Sequence, residues 1–345
     1  MKKNELMKTL WTLVIGSFGA ILFYWIGFPV PMLTGAAVAV TSAGLAGIEV
    51  HIPPILRSIC FVILGIGIGS SVTFDVVRAV VTWPISFVIL TLSLILIVFL
   101  CRFIMEQYFG FDRPTAGLAS APGHLSFVLA LSEDKNADVR KVAIIQSIRV
   151  LFLSLCVPLL LIALFGDLGA VLMPEARLSF LELGFLSLGS VLLGLVFIKW
   201  RVPAALLIAG MCVSSVAHLT ELTPGSLPDG FLFLALVIMG SLIGTRFDGV
   251  SRKELLRSLW AGLAVTTVGG IGAFLGAMFV LLVLGLDPAL LIVSFAPGGV
   301  EAMVAIAAEL GLSPAFVAGH HVWRLIVLGF LIPFLSRDRP NDAKG

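Results

Sequence analysis

The stretch GFDRPTAGLASAPG at residues 110–123 returns as GLDPALLIVSFAPG at residues 285–298. Read outward from there with a shift of 175, residues 110–158 align without a gap on residues 285–333. Gly110 falls on Gly285, Asp112 on Asp287, Ala121-Pro122-Gly123 on Ala296-Pro297-Gly298, Arg149 on Arg324 and Pro158 on Pro333. The same shift carries Gly65 and Gly69 onto Gly240 and Gly244, each pair followed by Ser70 or Thr245. Pro31 meets Pro203 at a shift of 172, so a small indel separates the blocks. Apolar residues coincide by chance, but Asp, Arg, Pro and Gly rarely all coincide at one offset. The chain is read as an internal duplication.

Proline removes a backbone donor and clashes with the preceding turn, while glycine tolerates unusual dihedrals. The apolar stretches 114–133 and 288–310 are both cut by Ala-Pro-Gly, so neither is expected to form one straight helix. The other apolar runs lie at 9–28, 31–47, 55–76, 82–108 and 143–166, then at 180–198, 203–219, 229–247, 257–283 and 317–335. Most approach the ~20 residues that cross a bilayer core. Lys2, Lys3 and Lys8 precede the first run as they would in a signal peptide. That run is as long as a full span and no A-x-A site follows, so it is read as a retained first span.

Composition points the same way. Of 345 residues, 59% are hydrophobic and 12% charged, and the mean hydropathy is +1.13. Soluble domains carry about 25% charged residues. A net charge of +2 offers no basic stripe for phosphates, which excludes a nucleic-acid partner. Cys60, Cys101, Cys156 and Cys212 lie in apolar runs without C-x-x-C spacing and read as buried thiols. Five histidines without H-x-x-x-H spacing make a poor metal set. No metal and no cofactor is expected. Gly65-x-Gly67-x-Gly69 has no βαβ context, so it reads as a site of close helix approach rather than a dinucleotide fingerprint.

Lysine and arginine collect in cytoplasmic loops. Suppose each broken stretch dips in and returns, so that each half crosses five times from a cytoplasmic N-terminus. The cytoplasmic side then holds Lys8, Arg57, Arg102, Arg113, Arg140, Lys141, Lys199, Arg246, Lys253 and Arg257 among others, and the outside only Arg78 and Arg177. Full crossings by the broken stretches would instead expose the basic 246–257 loop. The expected fold class is therefore an all-α polytopic membrane protein. It would comprise two inverted repeats of five transmembrane helices, residues 1–170 and 178–336, each with a re-entrant Ala-Pro-Gly segment. Residues 337–345 form a cytoplasmic tail, with both termini cytoplasmic.

Inverted repeats with broken helices are typical of secondary transporters, whose solutes bind near the midplane between repeats. Arg149 and Arg324 sit roughly 10 Å into their spans at ~1.5 Å per residue. A charge at such depth is costly and marks a functional candidate. Gln146 and His321 lie one turn earlier on the same faces. Two readings of the arginines stand together. Each snorkels, caps half-helix carbonyls or neutralises Glu301 or Asp134; or the pair attracts an anionic solute. After each break a half-helix N-terminus favours an anion. The candidate site therefore includes Pro122, Gly123, His124 and Ser126 from the first break and Pro297, Gly298 and Gly299 from the second. Glu301 stands opposite Ser126, and this asymmetry makes it the candidate ion-coupling carboxylate. An ion-pair role is the alternative.

The paired breaks, the run Ala137-Asp138-Val139-Arg140 on to Gln146-Ser147-Ile148-Arg149-Val150, and the Phe28-Pro29-Val30-Pro31 turn together resemble the AbrB family of bacterial membrane proteins. The resemblance covers essentially the whole chain and implies a tandem membrane duplication in a bacterial inner membrane. It is not to the soluble DNA-binding regulator of the same name. Members have been labelled ammonia monooxygenases or regulators of gene expression. The residues argue against an enzyme: they offer no copper ligand set and no converging nucleophile, base and orienter. The leading expectation is a secondary transporter of a small anionic or polar solute, coupled to protons or sodium. The alternative is a membrane-embedded regulator acting indirectly, since no polar stretch is long enough for a signalling domain. The expected partners are the solute and the lipid bilayer, and a homodimer is compatible with this reading.

Overall fold

A computed structural model describes residues 3–70, 83–122, 128, 132, 137–166, 177–200, 202, 204–223 and 225–335. Among them the chain is helical, with one isolated bridge between Arg177 and Ser226. The first half gives α1 (Lys3–Ile26), α2 (Pro31–Leu45), α3 (Pro54–Gly69), α4 (Trp83–Phe109), α5 (Arg113–Ser120) and α6 (Val139–Phe165). The second gives α7 (Phe180–Lys199), α8 (Ala205–Leu219), α9 (Asp229–Gly244), α10 (Arg252–Leu284), α11 (Pro288–Phe295), α12 (Val300–Glu309) and α13 (Pro314–Leu335).

Seven segments are long and apolar enough to cross a membrane: α1, α4, α6, α7, α9 with its 3-10 extension, α10 and α13. In α1, α4 and α10 only 28% of the most apolar window is buried within the protein. Trp11, Phe18 and Trp25 stand exposed on α1, as do Leu275 and Leu282 on α10. Continuous apolar faces of this size belong against lipid. The expectation of ten full spans needs one adjustment. Helices α2, α3 and α8 have 15, 16 and 15 residues, so they rise only about 23 Å. The run expected at 55–76 is helical to Gly69, and residues 71–76 lie outside the described residues.

The chain forms two compact bodies, and each takes helices from both sequence halves. The first comprises residues Met1–Val81, Ser154–Gly249 and Val300–Gly319. In it α2 packs on α9, and α3 on α8. Small residues make these approaches close. A Cβ on Gly65 would lie 3.0 Å from Gly210 Cα, and one on Gly240 would lie 2.9 Å from Ala36 Cβ. The two contacts are counterparts under the sequence shift to within one residue. The expected role of the Gly65-x-Gly67-x-Gly69 row is thereby met: Gly69 presses on the Met211 carbonyl, where a Cβ would lie at 2.5 Å. Van der Waals contact between small faces is what holds helices together where lipid is as apolar as leucine.

Helix directions in this body follow from its ends. Lys8 pairs with Glu49, and Gly44 packs against Phe247 and Asp248. The start of α1, the end of α2, the start of α3 and the end of α9 therefore share one end, with Lys8, Arg57 and Arg246. At the other end Arg177 donates to Ser226 Oγ at 2.8 Å and Leu178 N to the Ser226 carbonyl at 3.0 Å, so α7 and α9 start together.

The second body comprises Thr82–Leu153, Val250–Gly299 and His320–Gly345. Its axis is the antiparallel pair α4 and α10. A Cβ on Gly276 would lie 2.5 Å from Ser93 Oγ, one on Gly272 2.5 Å from Ile97 Cγ1, and Cys101 Sγ reaches the Val265 carbonyl at 3.6 Å. Gly110 and Gly285 adopt left-handed φ values of 65° and 64°, which glycine accepts without strain. Two residues on, Asp112 accepts from Thr115 N at 3.0 Å and Asp287 from Leu290 N at 2.8 Å, capping α5 and α11. The repeated Gly-x-Asp is a stop followed by a start. Arg140 pairs with Glu254 at 2.8 Å and Lys141 sits over the Phe111 ring. The end of α4, the start of α6 and the start of α10 thus lie together.

Candidate functional site at the paired breaks

Each broken stretch stops where the sequence places its proline. Helix α5 ends at Ser120 and α11 at Phe295; α12 resumes only at Val300. The short helices enter from opposite ends of the second body, since α5 follows the end of α4 and α11 follows the end of α10. Eight residues rise about 12 Å, so the two breaks come in from either side toward mid-depth. Pro122 and Pro297 line one cleft together with Leu90, Ser93, Leu94, Ile97, Ala273, Phe295 and Arg324.

A helix that stops inside a membrane leaves carbonyls that lipid cannot satisfy. The polar pair on the following long helix satisfies them in both halves. Gln146 Nε2 donates to the carbonyls of Leu118 at 2.9 Å and Ala121 at 2.8 Å, and Arg149 Nη1 to Ala121 at 3.4 Å. At the counterpart positions, His321 Nε2 lies 3.1 Å from the Val293 carbonyl and Arg324 Nη1 donates to Ala296 at 2.7 Å. The shift that relates the sequences also relates these contacts: 118 to 293, 121 to 296, 146 to 321 and 149 to 324. Both arginines are 2% exposed. Their positive charge sits at the negative end of a short helix, where the dipole favours it. Of the sequence-based alternatives, carbonyl capping is the one these contacts display.

The halves differ in detail. Arg149 Nη2 donates to Gln146 Oε1, whereas Arg324 Nη2 donates to the Gly298 carbonyl at 2.6 Å, past the break. The described residues lining the cleft include Arg324 and not Arg149. His320 lies 2.7 Å from Ser86 Oγ, among the rings of Trp83, Phe87 and Phe295.

Gln146, Arg149, Pro122, Pro297, Gly298, Gly299, His321 and Arg324 all fall in the second body. Gly123, His124 and Ser126 lie outside the described residues. Glu301 belongs to the first body, on the opening turn of α12, 6% exposed. It packs with α3 and α9 and lies in Coulomb range of Cys60 and Arg246. Sequence reasoning missed Ser93, Ala273 and Phe295 as site residues. They sit in unbroken apolar runs, and only the α4–α10 crossing and the end of α11 bring them to the cleft.

The sequence profile of the AbrB family, described as "Transition state regulatory protein AbrB", matches residues 32–338. The chain is 25% identical over 332 residues to the "Putative regulator AbrB" of Escherichia coli (strain K12), covering 92% of each. It is 24% identical over 360 residues to the "Uncharacterized protein YhjN" of Bacillus subtilis (strain 168), covering 96% of this chain and 94% of the other. With a profile match over nearly its whole length and seven helices apt to cross a membrane, this chain belongs to the AbrB family as a multi-pass membrane protein.

Proposed function

We propose that this protein is a secondary transporter of a small anionic or polar solute in a bacterial inner membrane, built as two inverted repeats with both termini cytoplasmic. The observation that carries the reading is the shared cleft: Pro122 and Pro297, the same position in each half, line it together with Arg324. Irregular backbone at membrane depth is tolerated where it lines a cavity, and transporter sites lie where such breaks meet.

Helix direction supports the inversion. In the first body α1 and α3 run from the end that holds Lys8 and Arg57, while their counterparts α7 and α9 run toward it. In the second body α4 ends where α10 starts. Each α5-like helix therefore enters from its own side, and the two form re-entrant segments. Glu301 is the residue proposed to couple the ion: a buried carboxylate at a helix start, near Arg246 and the break, with Ser126 opposite in the other half.

The test is solid-supported-membrane electrophysiology on proteoliposomes, with jumps of small carboxylates, amino acids and amines at several pH values. Anionic solutes are expected to evoke currents that depend on pH. Silence across all three classes would overturn the reading. The name of the Escherichia coli relative favours a second reading, indirect regulation of gene expression. Transport and indirect regulation are separated by an Arg324→Gln strain: an expression effect that survives loss of the currents belongs to regulation.

A further inference from the structure

We infer that the cleft at the breaks selects an amphipathic monoanion, a short aliphatic carboxylate, and that Arg324 alone of the arginine pair recognises it. The inference rests on the transport-site reading above and narrows it to a solute class and a residue.

The two arginines are counterparts in sequence, yet the structure gives them different work. Arg149 is tied to the side chain of its own helix neighbour, Gln146, and to the Ala121 carbonyl. Gln146 in turn holds the carbonyls of Leu118 and Ala121, so the first-half pair forms one closed cap on α5. In the second half Gln146 is replaced by His321, which turns to the Val293 carbonyl. Arg324 reaches instead across the break, to Ala296 and Gly298, and forms part of the cleft wall.

The rest of that wall defines the ligand. Its described residues offer one guanidinium and one hydroxyl, Arg324 and Ser93, against Leu90, Leu94, Ile97, Pro122, Ala273, Phe295 and Pro297. A single carboxylate matches the planar fork of arginine. The remainder of the solute then meets only apolar side chains. A second charge on the solute would be desolvated against them without a partner, which is strongly unfavourable. A cation would face Arg324 directly. The cleft as it stands has room for about one water-sized sphere, so the ligand enters as the two breaks part.

The experiment is thermal denaturation of the detergent-purified full chain with butyrate, isovalerate, succinate, butylamine and butyramide at neutral pH. A ligand that binds only the folded state raises the midpoint. Butyrate and isovalerate are expected to raise it by several degrees, and the other three to leave it unchanged. Arg324→Gln should abolish the shift. Arg149→Gln should lower the starting midpoint and keep the shift. Ala273→Phe fills the cleft with an apolar ring, so it should fold and lose the shift, even if Arg324→Gln fails to fold. Shifts of equal size from succinate, butylamine or butyramide overturn the inference. So does a shift that survives Ala273→Phe, one that vanishes in a folded Arg149→Gln protein, or the absence of any shift. Selective binding without currents in proteoliposomes would fell the transport reading and leave this one standing. Currents driven only by dianions or cations would do the reverse.

Discussion

The Cys60 thiol donates to the Ala235 carbonyl at 3.1 Å, and the two residues hold the same position in the two halves, 175 residues apart. Ile97 and Gly272 are related by the same shift and also touch. A rotation that exchanges two copies leaves a residue in contact with its own counterpart only on the rotation axis. Each body therefore has one such self-contact at the centre of a helix crossing, α3 on α9 in the first and α4 on α10 in the second. The surrounding contacts come in exchanged pairs, Gly65 with Gly210 and Gly240 with Ala36.

Glycine at these crossings is set by backbone proximity. Gly65→Ala and Gly240→Ala would each place a Cβ about 3 Å from atoms of the facing helix. Overpacking of this kind is expected to destabilise by about 1–3 kcal/mol. Gly270→Ala on α10 is the contrast, because nothing lies within 4 Å of its Cβ position, and alanine is the better helix former. Thermal denaturation of the three proteins should order them with Gly270→Ala at or above the parent.

Orientation is tested by reporter fusions after Arg140 and after Leu310. Under the inverted arrangement the first reports the cytoplasm and the second the opposite face. Identical reports from the two would exclude inversion.

Glu301→Gln keeps the side-chain shape and removes the titrating charge. The variant is expected to fold with a near-parental melting profile and to show solute currents that no longer vary with pH. Unchanged pH dependence would reassign Glu301 to a structural role beside Arg246.

Asp138 opens α6 and gives a pH dependence of stability with a defined sign. Burial pushes its carboxyl up, but the hydrogen bond and charge of Lys141 and the backbone amides of Lys141 and Arg140 together hold it below the usual carboxylate range. Lys141 N lies 3.0 Å from Oδ1 and Lys141 Nζ 2.9 Å from Oδ2. A carboxylate lowered in the folded state adds stability above its unfolded value, which is lost as pH falls through the lowered one. The ion pair is well exposed, so the contribution is small. Asp138→Asn should lower the melting midpoint slightly at neutral pH and flatten its decline in acid. A decline as steep as the parent's would remove Asp138 from the account.

What the amino-acid order determined by itself was everything carried by backbone chemistry and repetition. Gly110 and Gly285 end helices, Asp112 and Asp287 start them, and Pro122 and Pro297 stop them wherever the chain is placed, because these effects act over a few residues. The shift of 175 exposed the counterparts, and hydropathy marked the lipid-facing helices. What only the tertiary structure decided was which counterpart does what. Arg149 and Arg324 look alike in sequence, and their difference lies in whether the neighbour one turn earlier, Gln146 or His321, ties the guanidinium to its own helix. Ser93, Ala273 and Phe295 carry no local signal, since an apolar run reads the same whether it faces lipid or a cleft. Their place is set by a helix crossing between residues some 180 apart in sequence, and such long-range packing has no periodicity for a single chain segment to display.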